Sequence, residues 1–306
     1  MNLEIEVFGR TFQNPVLLAS GTCGYGQELV DYIDLDSLGG FVIKAVTVEE
    51  RHGNPAPRVT EFGEGMLNSI GLANVGVDVV RDEKLPWLQA NVKRAHVFVN
   101  VAGKTVDEFT QIITVLDGSA GFLAYELNVS CPNVKEGGAF FSSRPDLLGE
   151  VVARSRAVTK KPIVVKLAPN VPDIGAMARV AEENGADGLT LINTIPGMLF
   201  DVKTRKTKLG AGSGGVSGTA ILPVGVHAVY QAKRKVAIPI IGVGGISSAE
   251  DAAQYFLAGA SLVQVGTATF ADPRAPERVL SGLKRLGDQV GAKHVRELIG
   301  AVHQER

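Results

Sequence analysis

Pro162-Ile-Val-Val-Lys-Leu-Ala168 is a short, near-continuous apolar run, rich in β-branched residues, with a lysine close to its end. Such a run suits a parallel strand that is covered on both faces. Seven more runs along the chain have the same form: Pro15–Ser20, Phe41–Thr47, His96–Val101, Ala124–Ser130, Gly188–Thr194, Pro239–Gly245 and Leu262–Thr267. Each ends in polar, glycine or cysteine residues, and the segments between them mostly carry helix-like patterning. Strand alternating with helix predicts an α/β fold with a parallel sheet. Eight such units in about this length is the count of a (β/α)8 TIM barrel. Function in that architecture collects at the carboxyl ends of the strands. Here those ends read Ala19-Ser20, Lys44-Ala45, Asn100, Asn128 to Cys131, Lys166, Asn193-Thr194, Gly244-Gly245 and Gly266-Thr267. One rim thus receives lysines, asparagines, a cysteine and two glycine-bearing turns.

Composition narrows the classes. The chain has 306 residues, 45% hydrophobic and 21% charged, ample for the core of one large domain, taken as 1–306. Lys+Arg is 31 against Asp+Glu 32, which argues against a nucleic-acid or anionic-membrane partner. No apolar stretch reaches the ~18 residues of a membrane span. Met1-Asn2-Leu3-Glu4 has no basic segment leading into an apolar one, so a cytoplasmic location is expected. Two cysteines, Cys23 and Cys131, cannot form a disulfide framework or supply the four thiolates of an iron–sulfur cluster. No metal site is indicated. Leu3–Phe12 alternates apolar and polar residues around Phe8-Gly9, predicting a hairpin across the bottom of the barrel. Three long connections, Glu49–Val75, Pro132–Pro145 and Ile195–Gly218, leave the carboxyl side, where long loops build binding sites or their covers. The basic run Lys203–Lys208 reads as a solvated hairpin tip.

Several of these rim residues carry chemistry. A lysine directly after an apolar strand is costly to bury without a partner, so Lys44 and Lys166 need partners at the rim. In Glu126-Leu-Asn-Val-Ser-Cys-Pro-Asn133, period-two geometry puts Glu126, Asn128 and Ser130 on one face. Cys131 then opens the loop over the barrel mouth, placed to act as a proton acceptor or a nucleophile, and its reference pKa of about 8.5 is near enough to neutral for general base work after modest tuning. Gly242-Val-Gly-Gly-Ile-Ser-Ser248 follows the seventh run and Gly266-Thr267 the eighth. Turns at those two positions form the usual phosphate site of such barrels. Gly210-Ala-Gly-Ser-Gly-Gly215 matches a dinucleotide fingerprint in spelling only. A charged segment precedes it instead of a strand, so it reads as a mobile glycine loop and no NAD site is expected. Leu67-Asn-Ser-Ile-Gly-Leu-Ala-Asn74 offers amides, a hydroxyl and glycine to a planar polar ligand.

Together these residues resemble the family 1 dihydroorotate dehydrogenases, in particular the heteromeric NAD-linked type (class 1B). The matching pieces are Ala19-Ser-Gly-Thr22, Lys44-Ala45, Asn68-Ser-Ile-Gly-Leu72, Asn128-Val-Ser-Cys-Pro-Asn133, Lys166-Leu-Ala-Pro169, Asn193-Thr194, Gly244-Gly-Ile246 and Gly266-Thr267. The resemblance implies FMN across the barrel mouth. Its phosphate would lie at Gly244, Gly245, Gly266 and Thr267, with flavin contacts from Ser20, Lys44, Ala45, Asn100, Asn128, Lys166, Ile192 and Gly218. It implies dihydroorotate stacked on the flavin and held by Lys44, Asn68, Ile70, Gly71, Leu72, Asn128, Asn193 and Thr194, with Ser69 and Asn133 as further contacts. Cys131 would take the C5 proton while hydride leaves C6 for the flavin, giving orotate for pyrimidine biosynthesis. Lys166 would favour the charge that reduced flavin develops. The resemblance also implies a homodimer core joined to two electron-transfer subunits, each bearing FAD and a 2Fe-2S cluster, in a heterotetramer reducing NAD. Isoleucine in Asn68-Ser-Ile70 and the segment Ser20–Gly26 look like that branch. A single-subunit fumarate-linked enzyme and a dihydropyrimidine dehydrogenase-like FMN subunit are the alternatives. A tRNA dihydrouridine synthase would call for a basic face that the charge balance does not suggest.

Overall fold

In the computed structural model of the protein the described residues are 1–129 and 138–303, without the side chains of 138–140. The chain starts with an antiparallel hairpin, β1 (Ile5–Val7) and β2 (Arg10–Phe12). It continues through β3 (Val16–Leu18) and β4 (Gly40–Val42), then the pair β5 (Val59–Phe62) and β6 (Gly65–Asn68). Next come β7 (His96–Val101), β8 (Ala124–Asn128), β9 (Ile163–Leu167) and β10 (Gly188–Leu191). Four short strands follow: β11 (Ile195–Gly197), β12 (Phe200–Asp201), β13 (Lys206–Thr207) and β14 (Gly214–Ser217). The last two are β15 (Ile240–Val243) and β16 (Leu262–Val265).

Eight of these strands close into a barrel in the order β3-β4-β7-β8-β9-β10-β15-β16, with β16 pairing back to β3. Every neighbouring pair is parallel. The eight apolar runs are therefore the eight barrel strands, in chain order. The strands are shorter than the runs. Residues 43–47 and 192–194 run on past the named strands to the rim and stay bonded to their neighbours, Ile43 and Val46 N–H donating to the Phe98 and Asn100 carbonyls and Asn193 N–H to that of Leu167, and there Ser20 Oγ donates to the Ile43 carbonyl at 3.0 Å.

Helices between the strands start where capping residues satisfy their first amides. Thr105 accepts from Glu108 N–H before Val106–Leu116, and Asp173 accepts from Ala176 N–H before Ile174–Glu183. Ser248 and Asp251 form a reciprocal capping box before Ala249–Ala258, which ends at Gly259 with φ +114°. The helix Val106–Leu116 buries Phe109, Ile112, Ile113 and Leu116, positions spaced three and four apart. No helix among the described residues is long and apolar enough to cross a membrane.

The amino-terminal hairpin closes the bottom, as its alternation predicts. Phe8, at its turn, lies edge-on to Phe98 with ring centroids 6.1 Å apart. A Cβ on Gly188, at the start of β10, would come within 2.7 Å of the Phe8 ring, so glycine there makes room for the plug. The connections after the second and sixth barrel strands do not stay loops. They supply a four-stranded antiparallel sheet, β11-β14-β6-β5. The expectation of a mobile glycine loop at 210–215 is corrected here: Gly214 and Gly215 are buried in β14. Their missing side chains permit the pairing, since a Cβ on Gly214 would lie 2.3 Å from the Asn68 carbonyl oxygen. The basic run forms the expected exposed hairpin, β12 with β13.

Candidate active site

Period two along the barrel strands points alternate residues inward, so the last inward residue of each strand and its first turn residues meet above the core. There they enclose a cavity of about 720 Å³, within the ~300–1,000 Å³ of small-molecule sites. Its wall includes Ser20, Lys44, Ala45, Asn68, Ile70, Leu72, Asn128 and Lys166. It also includes Ile192, Asn193, Thr194, Gly218, Gly244, Gly245, Gly266 and Thr267. Residues read separately from nine distant segments thus share one chamber. Ser69, Gly71 and Asn100 lie just off its wall. Ser69 follows Asn68 and so faces the other way, with its hydroxyl accepting from Asn54 Nδ2 at 2.8 Å. Asn100 is fully buried beneath the chamber. Cys131 and Asn133 lie outside the described residues. A second cavity, of about 450 Å³, is lined by Tyr32, Trp87 and Glu277 among others and shares no residue with the first.

At one end of the chamber the backbone is held in shapes that only glycine adopts readily. Gly244 and Gly245 have φ of +129° and +75°. A Cβ on Gly245 would sit 2.7 Å from the Leu222 backbone nitrogen. Tyr255 donates its hydroxyl to the Gly244 carbonyl at 2.7 Å, and Thr267 Oγ1 donates to Ser217 Oγ at 2.8 Å. These turns follow barrel strands seven and eight, where barrels of this kind usually bind phosphate. Of their neighbours, Ser217 is a wall residue that sequence reading passed over.

The floor is polar. Lys166, near the end of β9, is only 6% exposed, and its ammonium lies 3.7 Å from Glu126 Oε1. Glu126 is fully buried. Asn100 Nδ2 donates to its Oε1 at 2.7 Å, while Thr190 Oγ1 and Gln264 Nε2 donate to Oε2 at 2.8 and 3.0 Å. The buried lysine thus has the partner that its burial demands. Above the floor, Asn128 Nδ2 faces Asn100 Oδ1 at 3.5 Å, Asn193 Nδ2 donates to Asn128 Oδ1 at 3.2 Å, and the Thr194 N–H donates to Asn193 Oδ1 at 2.8 Å. The signal for Glu126 was in the sequence: one carboxylate inside an apolar strand, in period with Asn128. Its three uncharged partners come from other strands and carry no mutual spacing.

The antiparallel sheet brings the amide-rich segment over this floor. Asn68 Nδ2 donates to the Gly215 carbonyl at 3.2 Å. Gly215 in turn lies so close to Thr194 that a Cβ would come within 2.1 Å of its hydroxyl oxygen. Asn68 and Thr194, on connections from opposite sides of the barrel, are held to one side of one chamber. The other thiol is inert by contrast. Cys23 is 2% exposed, its Sγ donates to the Val42 carbonyl at 3.2 Å, and burial pushes its pKa up to about 12.

A barrel with glycine turns at one end of its chamber, a buried lysine and an amide-lined floor suits a flavin mononucleotide and a small polar ring. The family comparison agrees. A model of the dihydroorotate dehydrogenase family matches residues 2–286. A Solibacter usitatus protein provisionally named dihydroorotate dehydrogenase A (fumarate) is 48% identical, with 98% of each chain covered. The dihydroorotate dehydrogenase B (NAD(+)) catalytic subunit of Thermodesulfovibrio yellowstonii is 46% identical over 98% of each chain, and that of Pelobacter propionicus is also 46% identical over 98% of each. The crystal structure of DHODH from Eimeria tenella in complex with ferulenol superposes with a TM-score of 0.84 at 24% identity, covering 99% of this chain and 89% of that one, a likeness of fold. With nearly the full length matched and almost half the residues identical, this chain belongs to the dihydroorotate dehydrogenase family.

Proposed function

We propose that this chain, acting as one barrel domain, oxidises (S)-dihydroorotate to orotate in the cytoplasm, as the FMN-bearing catalytic subunit of an NAD-linked assembly. The observation that carries the reading is the shared chamber: glycine turns after strands seven and eight at one end, Lys166 and the Asn128–Asn193–Thr194 chain beneath, and Asn68 across from them. Gly244, Gly245, Gly266 and Thr267 would hold the FMN phosphate. Ser20, Lys44, Ala45, Asn128, Lys166, Ile192 and Gly218 would hold the flavin, with Asn100 below. When bound, FMN supplies the acceptor for hydride.

The chain's own residues supply the rest. Lys44, Asn68, Asn128, Asn193 and Thr194 orient the substrate carboxylate and ring amides, with backbone and apolar contacts from Ile70 and Leu72. The sheet that carries Asn68 shields the ring from water. Cys131, which follows β8 in the sequence, takes the proton from C5 of dihydroorotate. Lys166 places a cation on the floor where negative charge develops. Two cysteines cannot ligate a cluster, and the chain has no dinucleotide fingerprint in a strand–helix setting. Electrons bound for NAD therefore leave to a second subunit carrying FAD and a 2Fe-2S cluster. Two copies of this chain form the core of that heterotetramer.

The test is to purify the chain alone and with a co-expressed electron-transfer subunit. The lone chain is expected to carry one FMN, to be reduced by dihydroorotate without oxygen, and to reduce NAD only with its partner. Absence of flavin, or an unreduced flavin at saturating dihydroorotate, would overturn the reading. A fumarate-linked enzyme is the second reading, favoured by the name of the 48% identical relative. Brisk fumarate turnover by the lone chain would select it.

A further inference from the structure

Glu126 is an expensive residue to keep. A carboxylate taken fully out of water costs several kcal/mol, and replacement of buried ionic groups by packed apolar ones is often neutral or stabilising. It lies one layer beneath the chamber and is absent from the chamber wall. Every partner it has among the described residues is a donor: the Asn100 amide, the Lys166 ammonium, the Thr190 hydroxyl and the Gln264 amide. Its oxygens accept only.

An asparagine amide is nearly symmetric in shape and reads differently according to which end carries the oxygen. Three such amides stack from Glu126 to the chamber. Asn100 gives its NH2 to Glu126 and so turns its oxygen up to Asn128. Asn128 gives its NH2 to Asn100 and turns its oxygen to Asn193. Asn193 gives its NH2 to Asn128 and turns its oxygen to the Thr194 N–H. The chain of amides therefore has an acceptor-only group at one end and a donor-only backbone N–H at the other. Both ends demand the same orientation of all three.

We propose that Glu126 is a positioning residue, setting from below which edge of Asn128 and Asn193 offers a donor and which an acceptor to the ligand. The inference deepens the functional reading and rests on it for the identity of that ligand. Orotate, a flat ring with alternating N–H and C=O groups, binds in one orientation only if those amides are fixed.

Gln264 provides the means of testing it. Its Oε1 is buried and has no partner among the described residues. In Glu126→Gln the new amide can keep its oxygen toward Asn100 and turn its NH2 toward Oε1 of a flipped Gln264 and the rotatable Thr190 hydroxyl. Polarity survives and only the charge is lost. Glu126→Leu removes the acceptor altogether. Orotate binding to the FMN-loaded protein, read from the perturbation of flavin absorption, should weaken about tenfold in Glu126→Leu and less than about threefold in Glu126→Gln, the scale of one mispaired polar group. Equal losses in both variants, or none in either, would overturn the proposal. A neutron structure of the parent protein decides independently of whether the leucine variant folds. Deuterium should lie on the Asn100 nitrogen facing Glu126, on Asn128 facing Asn100 and on Asn193 facing Asn128, and any one amide reversed refutes the chain. A parent protein that binds no orotate counts against the functional reading, while the deuterium positions still decide the amide order.

Discussion

At the amino ends of the strands the barrel is filled by rings: Phe8 against Phe98, Phe98 against Phe12, and Phe12 against His96 with centroids 4.3 Å apart. Toward the carboxyl ends the interior holds Asn100, Glu126, Lys166, Thr190 and Gln264. The same strands supply both layers. β7 sends Phe98 into the plug and Asn100 into the floor, and β10 makes room for Phe8 with Gly188 and reaches Glu126 with Thr190. One step of the two-residue period separates a dry aromatic layer from a hydrogen-bonded one. The change from apolar to polar along an interior face marks where packing gives way to chemistry, a division between the ends that is general in such barrels.

If that division holds, damage at the top should remove turnover and spare stability, and damage at the bottom should do the reverse. The largest effect is expected for Cys131→Ala. Flavin reduction by dihydroorotate should slow by about 10²–10⁴, the usual loss of a general base, with FMN content and melting temperature unchanged. Stopped-flow absorbance measures it, and a loss below about tenfold would move the base elsewhere. Phe12→Ala is the mirror image. Phe12 is fully buried in the plug, and its truncation should cost about 3–5 kcal/mol in urea unfolding while KM for dihydroorotate stays put. A shift in KM without loss of stability would break the contrast.

Gly245→Ala sharpens the comparison from the glycine turns. The added methyl meets the Leu222 backbone at a positive φ, so a strain of about 1–3 kcal/mol is expected. It should appear as faster FMN loss on dilution, followed by flavin fluorescence. FMN retained as in the parent would show that the turn can shift. The smallest effect at neutral pH belongs to Cys23→Ala, which should leave turnover as it is. Its signature is alkaline. The folded-state thiol ionises near 12 instead of the ordinary 9.0, so the folded protein holds that proton while the unfolded chain gives it up. Stability from this group is complete below pH 9 and falls as pH rises from 9 toward 12, at about 1.4 kcal/mol per unit. Unfolding midpoints for parent and Cys23→Ala should converge over that window, and parallel curves would contradict the burial of the thiol.

The barrel was legible because its strands are β-branched runs that must be covered on both faces, and each ends in side chains that packing does not explain. Lys44, Asn128, Lys166 and Asn193 could be placed on one rim by strand order alone. The floor was harder to see. Asn100, Thr190 and Gln264 are single polar residues inside apolar strands, and only closure of the barrel brings them to Glu126. The cover was harder still. β6 and β14 are short and glycine-bearing, with no alternation to betray them. Their pairing depends on the absence of side chains at Gly214 and Gly215, which in sequence looks the same as looseness. Ser69 shows the limit at one residue: a motif names it beside Asn68, yet the pleat turns the two to opposite sides.

The hairpin of β12 and β13 has a practical consequence. Its strands pair with each other at Phe200–Thr207 and Asp201–Lys206, and the Asp201 carboxylate closes the turn by accepting from the Lys203 and Thr204 N–H groups at 2.9 and 2.8 Å. Val202 at its tip is 87% exposed. The chain thus enters and leaves this appendage at neighbouring points, and exposed tips of that kind tolerate added sequence. A fluorescent label carried on Val202→Cys would leave the Asp201 turn intact and give this chain a handle on its exposed surface, one through which the arrival of a partner could be watched.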